Sequence, residues 1–175
     1  MIRINGSIQR AFVFPAPLTE ALRYYANTDH ILRLIPHVFF VTKYAQGQYR
    51  MLYHTTELAI YRVKIYCDLQ ASVEDRVLKF RPLTGHAPVK TFAGFDHLTA
   101  QGEYASDSVF ESLDESHTRV TYTLYLKADL PTPLGLGLVP GAVMTGIANG
   151  ITGRRMREIA QGFIDRSLVD YRKNA

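Results

Sequence analysis

Two long stretches of alternating residues constrain the fold of this chain more than any other feature. Between Val63 and Val73 the apolar side chains fall at odd positions, and between Val120 and Ala128 they fall at even positions. A period of two is typical of strands with one buried and one solvated face. The chain is therefore expected to form an antiparallel sheet that is covered on one side only.

The rest of the chain predicts elements in an unusual order. A first strand, Ile2–Phe14, ends at Pro15, and Leu18–Leu34 carries two short helices, with Thr28 or Asp29 as the expected cap of the second. A stretch rich in Leu, Gly and Pro after Pro133 predicts a hinge, and Met144 to Tyr171 has the periodicity of one long helix. Six further strands are predicted in between, at Val38–Ala45, Tyr49–Thr56, Ala59–Val73, Val77–Pro82, Ala100–Leu113 and Arg119–Leu130.

Length and composition favour a single domain and exclude several classes of function. With 175 residues the chain can bury a core without disulfides or metals, and the single cysteine, Cys67, rules out an internal disulfide and a Cys-rich zinc site. A formal charge of +4 is too small for a dedicated nucleic-acid binder. No segment is apolar enough for a signal peptide or a membrane span, so a cytoplasmic protein is expected.

Sequence motifs for metals, nucleotides and nucleophilic catalysis are missing. The six histidines have no metal-ligand spacing, and there is no phosphate-binding glycine loop and no GxSxG motif. We therefore expect neither a metal nor a cofactor.

The order of the elements resembles the helix-grip fold of the START-like (SRPBCC) superfamily. In that α+β fold a curved antiparallel sheet wraps around a long C-terminal helix, and a hydrophobic cavity lies between them. The resemblance covers nearly all of residues 1–175, as a single domain, and implies a binding pocket.

A narrower resemblance lies near the C-terminus. Leu130–Leu134 with Pro140, Ala148–Ile151 and Asp170–Arg172 look like a START-like domain-of-unknown-function family of cyanobacteria and plastids. That family typically has Gly where Ala148 stands and Arg where Lys173 stands. The resemblance implies a pocket but no reaction.

Candidate ligand-binding residues follow from the expected strand register. A tight turn at Glu57–Leu58 would place His54 opposite Tyr61 and Leu52 opposite Val63, with His54 and Tyr61 facing inward. Packing in the core is the alternative role for each aromatic or aliphatic residue, and Arg155 could instead pair with an acid or reach the rim. The candidates are His54, Tyr61, Cys67, Tyr104, Tyr122, Met144, Ile147, Ile151 and Arg155.

Two further features bear on access to such a cavity. The long loop Leu83–Leu98 is either a lid or a mobile segment, and its candidate gate residues are His86, Phe92, Phe95 and His97. Glycines in the first half of the long helix indicate either close packing on the sheet, which we favour, or a helix kept loose over a cavity. These are Gly141, Gly146, Gly150 and Gly153.

Three functions fit this pattern. The first is a non-enzymatic carrier or sensor for a lipid, isoprenoid or pigment. The second is a cyclase- or hydratase-like enzyme with His54 or a tyrosine as acid/base. The third is an assembly or membrane-surface factor in which the basic residues of the last helix contact anionic headgroups weakly.

Overall fold

The fold was determined from a computed structural model that describes residues 1–134 and 138–174. Residues 135–137 of the expected hinge lie outside the described residues. No helix of the described part is long and apolar enough to cross a membrane.

The elements follow the predicted order, with one short strand added inside the expected loop Leu83–Leu98, and most bounds differ from the expected ones by a few residues. The helices are α1 (Leu18–Ala26), α2 (Thr28–Ile31) and α3 (Gly141–Asn174), with a 3-10 turn at Leu32–Leu34. The strands are β1 (Ile2–Phe14), β2 (Val38–Ala45), β3 (Gln48–Glu57), β4 (Tyr61–Glu74), β5 (Val77–Pro82), β6 (Phe92–Ala93), β7 (His97–Ser112) and β8 (Thr118–Leu130).

The strands form one curved sheet in the order β1-β8-β7-β5-β4-β3-β2, with β6 added on β7. Strand β5 pairs with β7 on one side and with the second half of β4, Leu69 to Glu74, on the other. The first half of β4 extends past β5 and pairs directly with β7, in parallel. Gly102 lies just beyond this parallel stretch. A Cβ there would come 2.8 Å from Cγ2 of Ile65, so the close approach of the strands requires glycine.

The C-terminal half of α3 is packed firmly between the sheet and α1. Phe14 lies 4.6 Å from Tyr171 and 5.3 Å from Tyr25, measured between ring centroids, and these contacts belong to an aromatic cluster at this end of the molecule. The hydroxyl of Tyr25 donates a hydrogen bond to Oγ of Ser167 at 3.0 Å, and both residues are buried. This end holds the helix against the sheet.

The N-terminal half of α3 is different, because none of its residues before Thr152 is buried. A Cβ at Gly141, Gly146 or Gly150 would meet no atom within 4 Å, so the expectation of close glycine packing on the sheet is wrong at these positions. Close contact occurs instead at Gly162, where a Cβ would lie 2.5 Å from Cγ of Pro36. The glycines before Thr152 lower the helix propensity of a segment that covers the sheet loosely.

One local prediction about the helices is wrong. Neither Thr28 nor Asp29 caps α2. Asn27 does so, and its side chain accepts a hydrogen bond from the backbone N–H of His30 at 3.4 Å. The fold class is confirmed, because a curved antiparallel sheet grips one long C-terminal helix.

Candidate functional site

A cavity of about 480 Å³ lies between the sheet and the first half of α3. Its wall comes from the inward faces of β1, β3, β4, β7 and β8, from α3 between Met144 and Ile159, and from Pro133 and Leu134. Most of the wall is aliphatic, including Ile4, Met51, Val63, Ile65, Leu69, Leu98, Leu126, Leu130 and Ile159.

Eight of the thirteen residues singled out from the sequence lie on this wall. They come from three parts of the chain that are distant in sequence and that the fold brings together. They are Tyr61, Cys67, Phe95, Tyr104, Met144, Ile147, Ile151 and Arg155.

His54 does not face the cavity, because the register of β3 and β4 differs from the expected one. Glu57 pairs with Tyr61 and Thr55 with Val63, an offset of three residues on β3. An odd offset exchanges the two faces of a strand, so His54 points to the outer face, where its ring lies 6.4 Å from that of Phe39.

The expected register failed because the turn between β3 and β4 carries no turn signal. Leu58 and Ala59 adopt positive φ angles of 51° and 66°, a conformation usually taken by Gly, Asn or Asp. The same offset brings Tyr53, Thr55 and Glu57, which sequence reasoning missed, onto the cavity wall.

Tyr122 lies outside the cavity, in the core. Its side chain is fully buried, with the ring 4.9 Å from that of Phe163 and the hydroxyl 3.1 Å from that of Tyr104. The residue is on the inward face as expected, but there it packs against Phe163 in the C-terminal half of α3 and does not reach the cavity. Its position therefore supports core packing, the alternative weighed for each aromatic residue.

The first part of the loop Leu83–Leu98 is attached to the outer face of the sheet. The ring of His86 stacks on Tyr44 at 3.6 Å, and Arg50 donates a hydrogen bond to the carbonyl oxygen of Ala87 at 2.7 Å. The N–H of Val89 binds the side-chain oxygen of Gln101 at 3.0 Å. His86 is thus held away from the cavity.

In the second part of this loop, Phe95 lies at the mouth of the cavity and Leu98 lines its wall. Phe92 and His97 contact each other, with ring centroids 5.3 Å apart, and neither lines the cavity. The other three candidate gate residues do not line the cavity. Phe92 and His97 lie in paired strands, and His86 is stacked on the outer face.

The mouth of the cavity carries exposed apolar side chains. Leu58 and Ile60, in the turn between β3 and β4, are 72% and 74% exposed, and Phe95 is 79% exposed. Pro133, Leu134 and Met144 belong to the adjoining wall, and the sequence from Pro131 to Gly153 contains no charged residue. We call Leu58, Ile60 and Phe95 the apolar rim.

Arg155 is paired with acids and does not present a free cation to the cavity. Its guanidinium donates to Glu57 at 2.7 Å and to Glu158 at 2.6 Å, and these hydrogen bonds raise the arginine pKa above its ordinary value. Glu57 also accepts from Arg154 at 3.2 Å, and Glu158 lies 2.6 Å from His37. This charge cluster closes one end of the cavity with nearly balanced charge.

Three tyrosines line the cavity, and their hydroxyl groups differ in bonding. The Tyr61 hydroxyl donates to the carbonyl oxygen of His97 at 3.1 Å, and that of Tyr104 donates to Oγ of Ser106 at 3.2 Å. The Tyr53 hydroxyl is buried and has no hydrogen-bond partner among the described residues. Burial raises the pKa of Tyr53 to about 12, so it remains a neutral phenol at physiological pH.

Comparisons with known proteins support the fold. No protein-family model matches the chain, and no curated protein matches it in sequence. The ZhuI aromatase/cyclase from Streptomyces sp. R1128 is similar in structure, with a TM-score of 0.60 and 15% identity over 95% of this chain and 93% of that one.

Two further solved structures agree with this likeness. A conserved protein from Geobacillus kaustophilus gives a TM-score of 0.59 at 10% identity over 97% of this chain and 95% of that one. The di-domain aromatase/cyclase StfQ of the steffimycin biosynthetic pathway gives a TM-score of 0.56 at 11% identity, over 98% of this chain and 52% of that one. At these identities the likeness concerns the fold alone, which is a curved antiparallel sheet around one long C-terminal helix, the helix-grip fold.

Proposed function

We propose that this protein is a non-enzymatic carrier or sensor that encloses one hydrophobic small molecule between its sheet and α3. The observation that carries the proposal is the 480 Å³ cavity with its mostly aliphatic wall. Native interiors hold few voids larger than a water molecule, whereas ligand pockets occupy about 300–1,000 Å³. We therefore interpret a void of this size, in an otherwise packed domain, as a binding site.

The size of the cavity narrows the class of ligand. At about 480 Å³, it falls within the range of about 300–1,000 Å³ that small-molecule pockets occupy. This volume suits a short isoprenoid, an acyl chain or a fused-ring pigment.

The loosely covered side of the cavity supports ligand exchange. The first half of α3 has no buried residue before Thr152, and it faces the apolar rim across the mouth. Segments with few buried contacts open at low free-energy cost. We propose that the ligand enters beside Phe95 and Ile147. Of the four candidate gate residues, Phe95 is the one that would move to let the ligand pass.

Native mass spectrometry of the protein purified from its own host tests the proposal. We expect a bound apolar species that is released on denaturation. Ala148 lines the cavity, so the variant Ala148→Phe should fill part of it and reduce the bound fraction. Ala142 is exposed on the same helix, and Ala142→Phe is the matched control that should retain the ligand. A ligand-free protein that also fails to bind apolar fluorescent probes would contradict the proposal.

The enzymatic alternative receives less support. Its histidine version needs His54 in the cavity, and His54 lies on the outer face. Burial also raises the pKa values of the cavity phenols Tyr53, Tyr61 and Tyr104, while acid/base catalysis works best with a pKa near the working pH. The aromatase/cyclase descriptions of two structural neighbours are the reason to keep this alternative in view.

A second candidate function, contact with a membrane surface, is favoured by the apolar rim. Exposed Leu, Ile and Phe side chains beside a cavity mouth would enter the interfacial region of a bilayer, and the basic residues of α3 would add a weak attraction to anionic headgroups. Co-sedimentation with anionic vesicles tests this. We expect binding at low salt that Phe95→Ser weakens and that Val13→Ser, on β1, leaves unchanged.

The remaining expectations from the sequence stay predictions. These are the organisation as a single domain, a cytoplasmic location, the absence of a cofactor and of a nucleic-acid partner, and membership of the cyanobacterial and plastid family of unknown function.

A further inference from the structure

We infer that the ligand carries one uncharged oxygen, as a ketone or alcohol does, and that Tyr53 and Thr55 bind this oxygen at the charge-cluster end of the cavity. The inference rests on the proposed function, because it specifies what the same cavity accepts.

The first argument is the bonding of the cavity hydroxyls. Tyr61 and Tyr104 donate to fixed protein acceptors, whereas the buried Tyr53 hydroxyl forms no hydrogen bond in the described part of the chain. The Thr55 side chain is near enough to lower the Tyr53 pKa, which places the two hydroxyls side by side. A buried donor without an acceptor is costly, and native proteins rarely leave one. An oxygen atom of the ligand would satisfy it.

The second argument is the neighbourhood of Tyr53. Thr55 lies two residues along the inward face of β3, is buried and also lines the cavity. On a strand, residues at i and i+2 share a face, so two hydroxyl groups border the same part of the wall. They are set among aliphatic side chains such as Met51 and Val63, as expected for a pocket that is apolar except for a few orienting groups.

The third argument concerns charge and excludes an anionic head group. The described cavity wall carries two cations, and both are already paired. Arg155, in the charge cluster, binds Glu57 and Glu158, and Lys127 binds Glu103 at 3.3 Å. A ligand carboxylate would have to lose its hydration beside the buried carboxylate of Glu57 without gaining a free cation. A neutral oxygen avoids this penalty.

Three probes of equal non-hydrogen size test the inference: 2-isopropylnaphthalene, 2-acetylnaphthalene and 2-naphthoate. Their dissociation constants would be measured by fluorescence with the full chain. We expect the ketone to bind about fivefold more tightly than the hydrocarbon, as one hydrogen bond allows, and the carboxylate to bind more weakly than both.

Variants that remove one hydroxyl assign the effect to this site. Tyr53→Phe should abolish the preference for the ketone while leaving the affinity for the hydrocarbon unchanged. Tyr61→Phe is the matched control, because its hydroxyl is bound to the backbone of His97, and it should keep the preference. Thr55→Val replaces a hydroxyl by a methyl group of similar size and provides a second test if Tyr53→Phe folds poorly.

The outcomes separate this inference from the proposed function. Equal binding of ketone and hydrocarbon by the wild-type chain, or tight binding of the carboxylate, overturns the inference and leaves the carrier proposal standing. A preference that survives both Tyr53→Phe and Thr55→Val also overturns it. Failure of all three probes to bind contradicts the carrier proposal itself.

Discussion

Glu57 and Arg155 form an ion pair where the end of β3 meets α3, with Nε of Arg155 2.7 Å from Oε1 of Glu57. The side chains are only 6% and 19% exposed, so the pair is largely shielded from water. It lies at the boundary between the packed half of α3 and the half that covers the cavity. The pair therefore fixes the point from which the loose half of the helix extends.

Removal of the Glu57 charge should destabilise the protein. Glu57→Gln leaves the guanidinium of Arg155 without its most buried partner, and loss of one member of a buried pair costs about 3 kcal/mol of unfolding free energy. Arg154→Met is the control, because Arg154 is mostly exposed and its loss should cost less than ~1 kcal/mol. Urea denaturation measures both values, and equal effects would contradict the assigned role of the pair.

Cys67 should react slowly with alkylating reagents in the native protein. Burial raises the pKa of its thiol to about 12, whereas the thiol of an unfolded chain titrates near 9, so the native thiolate fraction at pH 8 is roughly a thousandfold smaller. The rate with iodoacetamide should stay low from pH 7 to 10 in native protein. In urea it should rise with a midpoint near pH 9. The same midpoint in the native protein would contradict this.

Alanine at the open glycine positions of α3 should stabilise the helix. Gly146→Ala and Gly150→Ala add a Cβ in free space and remove the glycine penalty of up to about 1 kcal/mol each. Amide hydrogen exchange over residues 141–153 should slow, and ligand release should slow with it. Gly162→Ala is the contrasting variant and should lower the thermal midpoint, because its Cβ would collide with Pro36.

Release of the loop around Ala87 should not change ligand exchange. Arg50 binds Asp68 through two hydrogen bonds of 2.7 Å and binds the Ala87 carbonyl oxygen through a third. Arg50→Met should increase proteolysis within residues 84–91 and leave the ligand dissociation rate unaltered. Phe95→Ala, at the cavity mouth, should change that rate severalfold. Faster ligand release from Arg50→Met would contradict this prediction and would show that the loop around Ala87 controls access to the cavity.

The type and the order of the secondary-structure elements were predictable from the sequence, because alternation and helical periodicity show which face of each element is buried. The bounds of Ile2–Phe14, Val38–Ala45 and Val77–Pro82 agree with the structure, and the others differ by a few residues. The helix-grip architecture followed from the order of these elements.

Local register was not predictable in the same way. Leu58 and Ala59 form a turn with positive φ without Gly or Asn, so the position of the turn had no chemical marker, and a shift of three residues moved His54 to the outer face. Periodicity also identifies the inward face but not the position along it. It therefore could not separate Tyr104, which lines the cavity, from Tyr122, which does not.

The aromatic cluster around Phe14, Tyr25 and Tyr171 lies at the opposite end of α3 from the cavity. Because the fold is secured there, apolar side chains in the loosely packed part of the cavity wall, such as Met144 and Ile147, can be exchanged with little risk to folding. Selection could thus alter what is bound without compensating changes elsewhere, and a protein engineer could use the same freedom.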